Sequence, residues 1–476
     1  RLMDIKTLIQ STSVDKRVNE AVNKAHSVQD KLNAMVSFID PSEQLKSLDS
    51  KSKDLPFYGV PVVLKDLVNM KDTRTTGSSG ILDNYISPYD ATITKKLKEA
   101  GAIIIGKSSC DTFGMGGTNM TAWTGPVANP YDLTRMSGGS SGGSAVLVAT
   151  GVVPMAIGTD TGDSIRKPAS FNHIVGFKPT YGRISRYGVI PYASSLDHVG
   201  VFTGNVKDAA LSLEVLAGRD DHDMTSSNLP VENYCDLCIG DLKGKRIGVI
   251  QNVIDSIHNQ ETLNQFKDLC QKLESKGAII SSIHLNEDLM HAFLPTYYII
   301  ANAEATANHS NLDSLRFGVL KEGQTMDESM ILSRTAGFGK LLKKRFVIGS
   351  YALFTENQEE VFRKAQKVRR LIVEDVKRVL ENVDVIMAPA SGQGAPKFDD
   401  ASTDQLSKQY LIAENYMALA NFSGYPSITV PMGMVDGLPV GVNLTAYANH
   451  DAKLLDIAYG IEKTTGIFNV IKEVTQ

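Results

Sequence analysis

Short runs of β-branched and other apolar residues alternate along this chain with longer segments of helical character. The run "FYGVPVVLKDLVN" predicts a strand that ends at Lys65. A helix that closes near Gly101 precedes a predicted strand over Ala102–Ile105, and "SAVLVATGVVPMAIGTDTG" repeats that order. Further buried strands are predicted at "KRIGVI", "AIISSI", "VDVIMAP" and "YPSITVPM". The alternation favours an α/β fold with a mostly buried sheet.

The chain is long enough to bury a large core, since 42% of its 476 residues are hydrophobic. We interpret residues 1–476 as a single domain with an amphipathic helical segment over about 1–50. A core follows over about 55–215 and a second lobe over about 240–476. The polar, turn-rich region from about 220 to 240 is the best candidate for the boundary between the two.

Charge and cysteine content exclude several classes of protein. The net charge of −4 argues against a strongly basic nucleic-acid binder, although a partner subunit can still supply a positive surface. We expect neither a membrane span nor a secretory signal, because no apolar run approaches the roughly 20 residues of a membrane helix. Four cysteines suit a reducing compartment, so we expect a cytoplasmic location, with an organelle matrix as the alternative. Cys235 and Cys238 lack a second ligand pair and are interpreted as ordinary loop thiols.

Two motifs match well-known patterns without the context that their chemistry needs. "GAIIIGKS" (residues 101–108) has the phosphate-loop spacing, but its central Ala-Ile-Ile-Ile must itself form a strand rather than a loop around phosphates. "SGGSSGGSA" (residues 137–145) centres a G-x-S-x-G on Ser141, yet no histidine lies in an obvious partner motif. A Gly/Ser loop that leads directly into an apolar helix is more typical of a backbone that approaches a ligand.

Two side chains are candidates for catalysis, each with a plain structural alternative. Lys65 ends an apolar strand, where lysine usually reaches solvent; buried beside a serine, its neutral amine can act as a base. Ser164 lies among small residues in "GTDTGDSIRKPAS", where backbone N–H groups can surround a developing oxyanion. The alternative for Ser164 is a helix N-cap.

Taken together, these stretches resemble the amidase signature family. Lys65, Ser140 and Ser164 match its Ser-cisSer-Lys triad, with 75 residues between the first two and 24 between the last two. Longer runs extend the resemblance over about residues 55–445, namely "PYDATITKKLKEAGAIIIGK", "GPVANPYDLTRMSGGSSGGSA", "VGFKPTYGRISRYGVIPYASSLDHVG", "DAALSLEVLAG" and "GLPVGVNL". These runs are most similar to the A-type subunits of tRNA-dependent amidotransferases. The resemblance implies an amidase-signature fold, with a mixed central β-sheet covered by helices on both faces.

The resemblance also implies a function. A glutaminase of this kind takes ammonia from glutamine, or from asparagine, and delivers it to a B-type partner subunit. The partner uses ATP and Mg²⁺ to amidate Glu-tRNA(Gln), or Asp-tRNA(Asn), holds most of the tRNA, and is normally braced by a small C-type subunit. This chain itself then needs no cofactor and no metal. The alternatives are a stand-alone amidase on other amides and a catalytically impaired assembly scaffold.

By the same resemblance, the backbone N–H groups of Thr161, Gly162 and Asp163 form the oxyanion hole. The family has glycine where this chain has Asp163. A carboxylate ~7 Å from the oxyanion, at an effective dielectric constant of ~20, opposes it by about 2 kcal/mol, or about thirtyfold in rate. The cost is smaller if the carboxylate turns toward Arg166 or Lys167. We therefore expect reduced or condition-dependent glutaminase activity.

Two further residues are carried over from the family for substrate binding. Arg345 in "KKRFVIGSYAL" matches the arginine that binds the α-carboxylate of glutamine. Glu414 falls where the family has the aspartate that binds the α-ammonium group. The alternative for Glu414 is an acid on a helix surface.

Overall fold

One sheet of eleven strands runs through the computed structural model of this chain, in which residues 1–400 and 408–474 are described. Together with a separate pair, β4 and β5, the strands of the described residues are β1 (Met35–Phe38), β2 (Pro61–Lys65), β3 (Ile103–Ser108), β4 (Ala128–Asn129), β5 (Asp132–Met136), β6 (Met155–Asp160), β7 (Val175–Lys178), β8 (His198–Thr203), β9 (Arg246–Ile250), β10 (Ile279–Ile283), β11 (Val385–Pro389), β12 (Ser427–Val435) and β13 (Leu438–Thr445). Their order in the sheet is β1-β3-β2-β6-β8-β7-β12-β13-β11-β9-β10, while β4 and β5 pair separately.

Seventeen α-helices surround this sheet within the described residues. They are α1 (Ile5–Ser11), α2 (Val14–Leu32), α3 (Ser42–Leu48), α4 (Thr92–Glu99), α5 (Gly142–Ala149), α6 (Arg166–Asn172), α7 (Val206–Leu216), α8 (Tyr234–Leu237), α9 (Gln251–Ser256), α10 (Gln260–Ser275), α11 (Glu287–Asn308), α12 (Met326–Gly337), α13 (Lys340–Leu353), α14 (Lys364–Leu380), α15 (Lys408–Asn415), α16 (Leu419–Ser423) and α17 (Asp451–Thr465). Over residues 1–400 and 408–474, no helix combines the length and apolar character that crossing a bilayer requires.

The sheet is mixed and its central strands are buried on both faces, which confirms the predicted fold class. The prediction of a buried strand at "AIISSI" was wrong in one respect, because β10 lies at the edge of the sheet and is mostly exposed. Strand β2 pairs in parallel with β3 and β6, whereas β7, β8, β12 and β13 pair antiparallel with their neighbours. Because side chains alternate along a strand, Val62 and Leu64 pack with residues of α4 and α7, while Val63 packs with α2 and α5 on the opposite face. Helices therefore cover both faces of the sheet.

The N-terminal segment contains a strand that its helical pattern did not predict. Helix α2 ends at Leu32, and Asn33 adopts a left-handed conformation with φ of 52°. The next residues form β1, which pairs antiparallel with β3 at the edge of the sheet. Pairing with a distant partner overrides the local helical pattern here.

Strand β3 confirms that the phosphate-loop spacing at residues 101–108 is misleading. The strand spans Ile103–Ser108, later than the predicted Ala102–Ile105, and every residue in it is buried. Lys107 donates a hydrogen bond to Thr75 Oγ1 at 2.8 Å, inside the protein. Gly101, with φ of 90°, ends the preceding helix as predicted.

The predicted core and second lobe share the same sheet. Strands β7 and β12 pair antiparallel and thereby join residues from before and after the turn-rich region at 220–240. That region contains the short helix α8, which includes Cys235, so this cysteine is helical rather than in a loop. All four cysteines are free thiols.

Candidate active site

Lys65 lies fully buried at the end of β2 and does not reach solvent. Its Nζ atom donates hydrogen bonds to Ser140 Oγ at 2.7 Å, Ser141 Oγ at 2.8 Å and Thr159 Oγ1 at 2.8 Å. Burial lowers the pKa of Lys65 to about 8, against the opposing attraction of surrounding carboxylates. Within the described part of the chain it forms no salt bridge, so its close neighbours are neutral hydroxyl groups. A lysine in this state can release and accept a proton near neutral pH.

The Gly/Ser loop that carries Ser140 is packed rather than flexible. The Gly139–Ser140 peptide bond is cis. The Asp111 N–H group donates to the Ser140 carbonyl at 3.0 Å, and the Gly142 N–H group donates to Asn119 Oδ1 at 2.9 Å. A Cβ atom on Gly139 would collide with the Asp111 carboxylate, so the loop requires glycine there.

Ser141, the centre of the G-x-S-x-G match, is not placed to attack a substrate. It is completely buried, and its hydroxyl donates to the Thr159 carbonyl at 3.0 Å. Its N–H group donates to the Ser164 carbonyl at 3.2 Å, which holds the Gly/Ser loop against the segment that follows β6. Ser141 thus positions Lys65 and the neighbouring loop.

Ser164 lies between β6 and α6 and lines a pocket with Gly162 and Asp163. Helix α6 begins at Arg166 with Ile165 at its cap position, so Ser164 does not cap it. Gly114 borders the same pocket, and a Cβ atom there would lie 3.7 Å from Ser140 Oγ. In the described residues Ser164 Oγ makes no hydrogen bond, so the predicted link between Ser140 and Ser164 is not closed. Catalytic hydrogen bonds commonly tighten only in the substrate complex.

A buried ion pair anchors the loop that carries Ser164. Asp160 and Arg166 are fully buried and lie 2.9 Å apart. Burial opposes ionisation of Asp160, but the adjacent Arg166 guanidinium holds its pKa below the usual range. Arg166 also donates to Asn421 Oδ1 at 2.8 Å and to the Met417 carbonyl at 2.7 Å. The loop is therefore fixed to the C-terminal part of the chain.

The backbone amides that precede Ser164 are available to a substrate oxygen. The N–H groups of Thr161, Gly162 and Asp163 donate no hydrogen bond to any described residue. The Thr161 hydroxyl donates to Asp197 Oδ1 at 2.6 Å, and the Gly162 carbonyl accepts from Arg166 at 3.0 Å. These contacts orient the segment without using its amides. The predicted oxyanion hole at these residues stays a prediction.

Asp163 lines the pocket, and its carboxylate forms no ion pair with a cation among the described residues. It makes no hydrogen bond or ion pair with a described residue, and burial raises its pKa to about 6. Arg166 is occupied by Asp160, and Lys167 lies 2.9 Å from Glu414. The charges of Lys167 and Arg166 lower the pKa of Asp163 and so offset part of the effect of burial, but neither forms an ion pair with it.

Arg345 reaches the pocket from α13 and faces aromatic side chains of α11. Its guanidinium donates to Tyr192 Oη at 3.0 Å and lies 5.6 Å from the centre of the Tyr298 ring. It forms no salt bridge with any described residue. Phe293 and Tyr297 complete this wall. A guanidinium without a charged partner in an aromatic pocket is suited to a substrate carboxylate.

Glu414 lies beside the pocket but does not line it. One carboxylate oxygen accepts from Lys167 at 2.9 Å and the other from the Gly392 N–H group at 2.8 Å. The adjacent Asn415 lines the pocket instead. Substrate binding by Glu414 stays a prediction, and the structure gives this side chain a structural contact.

Sequence reasoning missed the residues that support Lys65 and shape the pocket. Thr159 lies within a strand pattern, and Tyr192, Tyr297 and Tyr298 lie in segments without a motif. The only available signal was that "GTDTG" places a threonine just before the nucleophile loop. The aromatic residues come together only through the packing of α11 and α13 over the sheet.

The comparisons with known proteins agree with this geometry. The Amidase family model matches residues 16–455, and the chain belongs to the amidase family. It is an amidase-family enzyme with a buried lysine, a cis peptide bond before Ser140 and a serine in the pocket. In the Stenotrophomonas maltophilia peptide amidase, the fold matches with a TM-score of 0.81 at 25% identity, covering 97% of this chain and 96% of that one.

More similar relatives carry a more specific name. A Fusobacterium nucleatum protein named as the A-type subunit of glutamyl-tRNA(Gln) amidotransferase is 39% identical over 474 residues, covering 98% of this chain and 96% of that protein. A Koribacter versatilis protein of the same name is 41% identical over 422 residues, covering 88% and 87%. The crystal structure of the Thermotoga maritima protein of that name matches with a TM-score of 0.82 at 33% identity, covering 100% and 98%.

Proposed function

We propose that this chain is the glutaminase subunit of a tRNA-dependent amidotransferase. The observation that carries the proposal is the contact of 2.7 Å between the buried Lys65 amine and Ser140 Oγ, directly behind the pocket that holds Ser164. The names of the curated relatives support Glu-tRNA(Gln) as the acceptor of the ammonia. We take glutamine as the donor, with asparagine as the alternative.

The reaction follows from a proton relay. Neutral Lys65 takes a proton from Ser140, and Ser140 takes one from Ser164. Ser164 Oγ then forms a bond to the side-chain carbonyl carbon of glutamine, and the oxygen becomes an oxyanion. As the carbonyl re-forms, the C–N bond breaks, and the relay returns the proton to the departing nitrogen. Ammonia leaves, and water cleaves the glutamyl ester on Ser164 to give glutamate.

Substrate binding and oxyanion stabilisation come from different residues of the site. The amides of Thr161, Gly162 and Asp163 donate to the oxyanion, whose negative charge makes such bonds strongest in the transition state. Arg345 binds the α-carboxylate of glutamine through charge-assisted hydrogen bonds.

The product ammonia is used in a different polypeptide. A B-type subunit uses ATP and Mg²⁺ to activate the acceptor, Glu-tRNA(Gln), and holds most of the tRNA; Asp-tRNA(Asn) is the alternative acceptor. A small C-type subunit braces the pair, and the amidated tRNA enters protein biosynthesis. The present chain, with a net charge of −4, is suited to the ammonia-producing half of this work.

The test is co-purification with a B-type subunit followed by glutamine-dependent amidation of Glu-tRNA(Gln). We expect the wild-type complex to amidate with glutamine, and the Ser164→Ala complex to amidate only when ammonium is supplied directly. Mass spectrometry after treatment with a glutamine-derived electrophile should place the label on Ser164. Hydrolysis of simple acylamides in preference to glutamine would contradict the proposal and favour a stand-alone amidase.

A further inference from the structure

The Asp163 carboxylate is an unusual group to find in this pocket. It lies next to Ser164 in sequence, lines the same cavity, and has no hydrogen-bond or ion-pair partner among the described residues. Burial disfavours the charged form of this carboxyl, and the charges of Lys167 and Arg166 oppose that effect only in part, without forming an ion pair with it. With a pKa of about 6 it is still about nine-tenths ionised at pH 7. Asp163 therefore contributes a negative charge to the lining of the pocket at pH 7.

The neighbouring cations are committed elsewhere. Arg166 is held at 2.9 Å by Asp160 and at 2.8 Å by Asn421, in a fully buried network. Lys167 donates to Glu414 at 2.9 Å and to the Ala390 carbonyl at 3.2 Å. Neither can move to Asp163 without leaving another carboxylate unpaired. Neither Arg166 nor Lys167 therefore supplies an ion-pair partner for Asp163 in this structure.

Glu414, a second acid near the pocket, is not free to bind a cationic group of a substrate. Both carboxylate oxygens of Glu414 are engaged, one by Lys167 and one by the Gly392 N–H group. Glu414 also does not line the pocket, whereas Asp163 and Arg345 do. An amino acid that enters this pocket meets one free carboxylate and one guanidinium without a charged partner, which match its ammonium and carboxylate groups.

We propose that Asp163 binds the α-ammonium group of the substrate glutamine, an inference that rests on the glutaminase function proposed above. The ammonium group supplies the cation that Asp163 lacks. It also neutralises the charge that would otherwise oppose the oxyanion beside Ser164. An amide without an ammonium group leaves that repulsion in place. Asp163 thus selects amino-acid amides over other amides, in the transition state as well as in binding.

The test compares two substrates that differ only in the α-amino group, glutamine and glutaramate. Ammonia release is measured with the complex that co-purifies with the chain, for the wild type and for Asp163→Asn, which keeps the side-chain size and the backbone N–H group. We expect the ratio of kcat/KM for glutamine to that for glutaramate to fall by about tenfold or more in Asp163→Asn, as loss of a charged hydrogen bond implies. Turnover of glutaramate itself should rise, because the charge that opposes its oxyanion is removed.

Asp83→Asn is the matched comparison, because it removes the same charge from a carboxylate that pairs with Arg74 and does not line the pocket. We expect it to leave the substrate ratio within threefold of the wild type. A smaller fall than tenfold in Asp163→Asn, or a larger fall in Asp83→Asn than in Asp163→Asn, overturns the assignment while the glutaminase function stands. Release of ammonia from neither substrate by the wild-type complex overturns the glutaminase function and this assignment with it. Melting temperatures confirm that each variant is folded.

Discussion

Replacing Lys65 with arginine tests the proton relay directly. Arginine keeps the positive charge and the hydrogen-bond donors, but its pKa above 12 prevents it from accepting a proton. The amine of Lys65 contacts the hydroxyl groups of Ser140, Ser141 and Thr159, and within residues 1–400 and 408–474 it is the hydrogen-bond partner of Ser140 Oγ. Lys65→Arg should therefore fold and bind but lose catalysis.

The magnitude follows from the burial of the amine. Lowering the pKa of Lys65 from 10.5 to about 8 makes the neutral amine about 300-fold more abundant at pH 7. The base acts in its deprotonated form, so kcat/KM should rise about tenfold per pH unit below pH 8 and level off above it. At pH 7 the wild type should show about a tenth of its plateau. Loss of a general base typically costs about 10²- to 10⁴-fold in rate, and we expect that range for Lys65→Arg.

The assay is glutamine-dependent ammonia release from pH 6.5 to 9, with Lys107→Arg as the matched control. Lys107 lies on the neighbouring strand, is also buried, and has a pKa that burial lowers to about 8. It contacts Thr75 and not the pocket, so Lys107→Arg should keep the inflection near pH 8. The relay is refuted if Lys65→Arg retains more than a tenth of wild-type activity. It is equally refuted if Lys107→Arg, and not Lys65→Arg, removes the inflection.

Three further outcomes follow from the geometry. Asp160→Asn leaves the buried guanidinium of Arg166 without its charge partner, so the free energy of unfolding measured with denaturant should fall by about 3–5 kcal/mol. Gly143→Ala places a Cβ atom 2.5 Å from the Ser109 carbonyl oxygen and should cost about 1–3 kcal/mol with loss of activity, whereas Gly339→Ala, with no atom within 4 Å, should leave thermal stability nearly unchanged. Arg345→Gln should raise KM for glutamine at least tenfold while changing the hydrolysis of an uncharged acylamide by less than threefold, and equal losses on both would contradict its role.

The sequence predicted β2, β3, β6 and β9 to β12 of the sheet, but not β1, β7, β8 or β13. Strands β9, β11 and β12 coincide with "KRIGVI", "VDVIMAP" and "YPSITVPM", where continuous apolar runs leave little choice of structure. Strand β1 was missed because only four residues form it and its partner is β3, distant in sequence. Local periodicity has no access to such a pairing.

In the candidate active site, the sequence predicted which residues belong to the site but not the surroundings of their side chains. The motif runs located Lys65, but a lysine at a strand end is ordinarily exposed, and its burial depends on β3 and β6 lying on either side of β2. The surroundings of Asp163 could not be inferred for the same reason. Arg166 and Lys167 are its close neighbours in sequence, yet their partners come from residues 160, 414 and 421.

The two strands that complete the middle of the sheet, β12 and β13, are synthesised after all the other described strands. In the sheet order, β12 and β13 lie between β7 and β11, so residues 427–445 join the strands of the first half of the chain to the group formed by β9, β10 and β11. Until the ribosome has released this hairpin, β7 and β11 each present a row of unsatisfied backbone groups. A chain truncated before residue 427 would expose two unpaired strand edges. We therefore expect it to self-associate through these edges rather than fold into a smaller active enzyme.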